Sequence, residues 1–74
     1  MSKLPVISGQ ECVTALQKAD FYVASRKGSH INMRRDEPFA KVTVPDHKEL
    51  DRGTLRAIIR QAGMTVDEFI ELLD

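Results

Sequence analysis

FYVASRKGSHINMRRDEPFAKVTV, residues 21–44, holds three runs of strand-forming residues separated by turn formers. Phe21-Tyr22-Val23-Ala24-Ser25-Arg26 is rich in aromatic and β-branched side chains, Gly28-Ser29 marks a turn, and His30-Ile31-Asn32-Met33-Arg34 alternates polar with apolar. Asp36-Glu37-Pro38 supplies a second turn, Ala40-Lys41-Val42-Thr43-Val44 alternates again, and Pro45 ends the run. Three strands with short links predict an antiparallel meander.

Side-chain alternation along a strand then sorts the residues by face. With Phe21, Val23, Ile31, Met33, Val42 and Val44 turned to the core, Tyr22, Arg26, His30, Asn32, Arg34, Lys41 and Thr43 share the open side. A two-residue Gly28-Ser29 loop would place Val23 opposite Arg34 on one face. A three-residue loop, Lys27 to Ser29, removes that conflict and is the expected connection.

Helices are predicted on both flanks. Ser8-Gly9-Gln10-Glu11 has the pattern of a capping box, and Cys12, Ala15, Leu16 and Ala19 follow at helical spacing, with an end near Asp20. From Asp51, a capping residue, Leu55, Ile58, Ile59 and Ala62 form a second stripe closed by Gly63. Thr65-Val66-Asp67-Glu68 is a second capping-box pattern, opening a short helix with Val66, Phe69, Ile70 and Leu73 on one side. The expected fold is therefore α+β, in the order α-β-β-β-α-α, with a three-stranded antiparallel sheet covered by helices on one face.

A chain of 74 residues, 42% hydrophobic and 30% charged, reads as one domain over residues 1–74 with a thin core that a partner protein would help to stabilise. The single cysteine, Cys12, excludes an internal disulfide and fits a reducing cytoplasm. No signal peptide is recognisable, and no apolar run approaches the ~20 residues of a membrane span. The formal charge is zero, yet residues 23–60 carry nine Lys/Arg against five acids, and residues 61–74 carry four acids and no Lys/Arg. A basic middle suits phosphates and an acidic end does not.

Reactive groups are few. There are two histidines and no Walker-type phosphate loop, and no cofactor is implied. A histidine of ordinary pKa, ~6.5, can take a proton from a ribose 2′-OH or give one to a leaving oxygen near neutral pH. His30 follows Gly28, with Arg26, Lys27 and Arg34 close in sequence and a hydroxyl on Ser29. The same pattern also describes an ordinary surface histidine. His47, in Pro45-Asp46-His47-Lys48, reads as a solvated loop residue. Arg52, Arg56 and Arg60 recur every four residues, either to grip phosphate or as a solubilising flank paired with acids such as Glu49. Asp46, His47, Glu49 and Asp51 cluster in sequence, but loops beside helix caps commonly do so, and no metal site is expected.

Several segments in order resemble the HicA family: Leu4-Pro5 with Ser8-Gly9, Lys27-Gly28-Ser29-His30, Val44-Pro45-Asp46-His47, and Gly53-Thr54-Leu55-Arg56 running to Gln61-Ala62-Gly63. That resemblance covers nearly the whole chain. It implies a fold similar to double-stranded-RNA-binding domains and ribosome-independent cleavage of mRNA. It also implies His30 as the catalytic residue and a HicB-type antitoxin that blocks the active surface. The RNA-contacting residues expected with it are Arg26, Lys27, Gly28, Ser29, Arg34 and Lys41. One departure is Asp20, where the family tends to have Gly, and a reshaped helix end is expected there. Two other functions fit the same residues: a non-catalytic RNA-binding module, which needs no proton-transfer group, and a small protein that completes a partner's structure.

Overall fold

Ser8 begins the first helix as expected: its hydroxyl accepts from the Glu11 amide at 3.1 Å while the Ser8 amide donates to the Glu11 carboxylate at 2.9 Å. The computed structural model describes residues 3–73, and its elements are α1 (Gly9–Lys18), β1 (Tyr22–Lys27), β2 (His30–Asp36), β3 (Phe39–Pro45), α2 (Arg52–Gln61) and α3 (Val66–Leu72). Asp51 caps α2, its carboxylate accepting from the Thr54 amide at 2.6 Å. That bond, ahead of other contacts from Thr54 and Gly53, holds the Asp51 carboxyl below the usual carboxylate range. Thr65 and Glu68 form the second capping box. Among the described residues no helix is long and apolar enough to cross a membrane.

The sheet is a three-stranded antiparallel meander in the order β1-β2-β3. Ile31, Met33, Ala40, Val42 and Val44 are buried beneath the helices, in one core with Leu16, Leu55, Ile58 and Phe69. The opposite face, from His30 to Thr43, is open. The expected α+β architecture and element order are therefore present.

The first hairpin differs from expectation in its loop. Lys27 pairs with His30, so the connection is the two-residue Gly28-Ser29 loop rather than three residues, with Gly28 at φ +59° as tight hairpin turns require. The register conflict is resolved by a bulge between Val23 and Ser25, which leaves Ala24 as the extra residue. Val23 thereby pairs with Met33 on the core side, and Arg26 is moved opposite Ile31, off the face where it was expected. Val23 nevertheless remains 44% exposed. The helices pack chiefly over β3, so β1 is an uncovered edge.

Asp20 also departs from expectation, because the cap is not reshaped. Asp20 takes φ +72°, and Phe21 donates to the Leu16 carbonyl at 3.1 Å while Asp20 donates to that of Gln17 at 3.2 Å. This is the same closing pattern that α2 makes with Gly63, at φ +76°. An L-residue pays for this conformation and glycine does not. Asp20→Gly is therefore expected to stabilise the fold by about 0.5–1 kcal/mol, raising the melting temperature by several degrees. A calorimetric midpoint at or below wild type would show that Asp20 is not strained.

Gly9 has a different constraint. A Cβ there would stand 2.1 Å from the Pro45 carbonyl oxygen, and the Gly9 amide donates to the His47 carbonyl at 2.8 Å. The start of α1 thus lies directly on the end of β3. Gly9→Ala must push these backbones apart, an overpacking cost of about 1–3 kcal/mol. Urea denaturation should show it as a lowered midpoint, and an unchanged midpoint would contradict the close approach.

Candidate functional site

Cross-strand pairing arranges the open face in rows. Lys27, His30 and Pro45 form the row nearest the hairpin loop; Ser25, Asn32 and Thr43 form the next; Tyr22, Arg34 and Lys41 follow, with Asp36 and Phe39 at the far end. His30 is exposed, and among the described residues its side chain makes no hydrogen bond or ion pair. Both ring nitrogens are thus available to a ligand. The backbone beneath it is held, because the Asp46 amide donates to the Ser29 carbonyl at 2.6 Å and ties the end of β3 to the residue before His30.

Four cations were expected beside His30, and the structure divides them. Lys27 pairs directly with His30, and Lys41 stands two rows away; neither makes an ion pair among the described residues. Arg34 shares the face, but its Nε donates to Asp36 at 3.0 Å and its guanidinium lies over the Phe39 ring, 5.2 Å from the centroid. Arg26 faces the helix side and forms an ion pair with Asp46. The Gln10 amide also donates to Asp46, at 3.1 Å, and this bond together with Arg26 holds the Asp46 carboxyl below the usual range. Gly28 and Ser29 form the exposed loop next to His30.

The remaining candidates lie elsewhere. His47 is exposed beyond β3, with its backbone carbonyl bound to Gly9. Arg52, Arg56 and Arg60 are exposed on α2, in the helical layer, and none pairs with Glu49 among the described residues. Among the described residues no three His, Cys, Asp or Glu side chains converge as a metal site, and Asp46 and Asp51 are occupied by Arg26 and by the α2 cap. Cys12 is buried, which pushes its thiol up to about 12 and keeps it neutral at pH 7.

Arg35 was not anticipated. Alternation places it on the face of Ile31 and Met33, which was the available signal. It is half-buried, with its guanidinium 4.7 Å from the Phe21 ring centroid, and it donates to the Pro38 carbonyl at 2.9 Å and to the Ala62 carbonyl at 3.1 Å. A cation on the last carbonyls of α2 also suits the negative end of the helix dipole. Arg35 fastens α2 to the sheet.

A family model described as the HicA toxin of bacterial toxin–antitoxin systems matches residues 9–64. A comparison with curated proteins gave no match. The matched residues run from the start of α1 past the end of α2 and contain the Gly28-Ser29-His30 hairpin, the Pro45-Asp46-His47 segment that Gly9 lies upon, and the Gly63 cap. The chain belongs to the HicA toxin family.

Proposed function

We propose that this toxin is an endoribonuclease that cleaves mRNA in the cytoplasm without a metal ion, with His30 moving the proton. The observation that carries this reading is the exposed His30 ring on the uncovered sheet face, beside Lys27, which makes no ion pair among the described residues. RNA supplies its own nucleophile. The 2′-oxygen attacks the adjacent phosphorus, a P–O2′ bond forms, the P–O5′ bond breaks, and the 2′-OH proton ends on the departing 5′-oxygen. His30 serves at one or both of these proton transfers. Lys27 and Lys41 offset the added negative charge on phosphorus, and the Gly28 and Ser29 amides and the Ser29 hydroxyl lie at the loop where a phosphate would approach. Arg34 contributes only what Asp36 leaves of its charge, and Arg26 would have to reach RNA around the hairpin edge.

Three strands with helices on one face leave the other face of the sheet open to RNA. An antitoxin of the HicB type would inhibit by covering the same face around His30 and placing acidic or bulky groups where phosphate sits. The direct test is incubation of purified protein with RNA in excess chelator. Cleavage is expected to persist, with 2′,3′-cyclic phosphate and 5′-hydroxyl ends. Activity lost to EDTA and restored by a divalent cation would overturn the metal-free mechanism.

A further inference from the structure

The middle row of the open face has chemistry that proton transfer does not use. The Asn32 Nδ2 donates to Ser25 Oγ at 3.0 Å, and Thr43 Oγ1 donates to Asn32 Oδ1 at 2.9 Å, so the three side chains form a hydrogen-bonded bar across all three strands. These bonds fix the amide plane without exhausting it. One N–H and one oxygen lone pair of Asn32 remain, with the Ser25 hydroxyl proton on one side and the Thr43 lone pairs on the other. The bar lines a cavity of about 720 Å³, together with Arg34 and Lys41. His30 is not among its lining residues.

Asn32 follows His30 by two residues on the same face, so their Cα atoms are about 6.6 Å apart. This matches the step between neighbouring nucleotides of an extended single strand. Beyond the bar, Tyr22 and Phe39 are 43% and 61% exposed, and the Tyr22 hydroxyl donates to Asp36, which also meets the charge of Arg34. That end therefore offers flat surfaces beside the Lys41 charge, with Arg34 on one face of the Phe39 ring and the ring otherwise exposed, as suits stacked nucleotides. A donor and an acceptor fixed side by side suit the Watson–Crick edge of a base, which a duplex conceals.

We propose that Ser25, Asn32 and Thr43 form a base-reading subsite for single-stranded RNA, one nucleotide from the phosphate at His30, with Tyr22, one row further, as the stacking surface for the next base and Phe39, a row beyond that, for the one after it. This rests on the RNA-cleaving reading of His30, and the test separates the two. Binding of four labelled homopolymeric RNA tetranucleotides and of a matched duplex is measured in a His30→Ala background, with circular dichroism to confirm folding. The parent is expected to favour one base by about tenfold, the scale of one fixed donor–acceptor pair. Adding Asn32→Ala should bring the four within about threefold, and adding Phe39→Ala should weaken all four by about tenfold. In otherwise wild-type protein, Asn32→Ala should redistribute cut sites at one flanking position. A base preference indifferent to Asn32, tighter binding of the duplex, or an Asn32→Ala defect confined to antitoxin binding would overturn the subsite. Asn32-dependent base preference in a protein that cuts no RNA would support the subsite and remove His30 from catalysis.

Discussion

Replacing His30 with alanine is expected to leave the fold intact while lowering RNA cleavage by about 10²–10⁴-fold, with growth inhibition lost. The fold should survive because His30 is exposed at the first position of β2 and its side chain bonds to no described residue, and such surface changes shift stability by about 0.5 kcal/mol or less. Activity should not survive, since alanine cannot exchange a proton with the 2′-OH or the leaving oxygen, a loss on the order of 3–5 kcal/mol in the barrier. Binding should fall only modestly, because Lys27 and Lys41 remain on the open face and can still meet phosphates. The useful comparison is circular dichroism, RNA affinity and cleavage rate for wild type, His30→Ala and His47→Ala. A folded His30→Ala protein cutting at the wild-type rate would eliminate His30 as the catalyst. Selective inactivity of His47→Ala would transfer the role to the loop after β3.

Phe69→Ala is expected to cost about 3–5 kcal/mol, a large share of the roughly 4–11 kcal/mol that a domain of this size possesses. Phe69 is fully buried, whereas Val66, Ile70, Leu72 and Leu73 are only partly covered. With seven residues α3 is too short to hold itself together in water, so packing against α1 and α2 must supply its stability. Removing the ring leaves a cavity in the shared core and detaches the helix. Urea denaturation followed by circular dichroism should show a midpoint lowered by more than 1 M at the usual slope for small domains. A midpoint within 0.3 M of wild type would show that α3 is peripheral. The family match ends at Met64, so this helix lies beyond the matched residues yet completes the core.

His30→Ala and Phe69→Ala act on opposite layers, and their effects should be nearly independent. His30 stands on the uncovered face, while Phe69 belongs to the helical layer. Substitutions without shared contacts usually add in free energy, so the double variant should show the stability of Phe69→Ala and the inactivity of His30→Ala.

Local chemistry made much of this protein legible in its sequence. The Ser8–Glu11 and Thr65–Glu68 boxes, the Asp51 cap, the Gly63 helix end and the alternation of Ile31, Met33, Val42 and Val44 depend on residues a few positions apart, and each is found in place. The position of His30 on the open face follows from the same alternation along β2. What the sequence alone could not decide involved choices between strands or between layers. Whether the first hairpin turns in two residues or three depends on how an extra residue can be absorbed, and the bulge at Ala24 absorbs it beyond the third pair from the loop. That choice carries Arg26 to the helix side, where it meets Asp46, 20 positions away, which in turn accepts from Gln10, 36 positions from Asp46. Val23 has the pattern of a core residue but remains half exposed because the helices settle over β3, and Arg35 finds the end of α2 only once the layers are stacked. Alternation assigns a face to each side chain, but it is the packing of distant elements that determines whether that face is covered and which charges are left to meet a ligand.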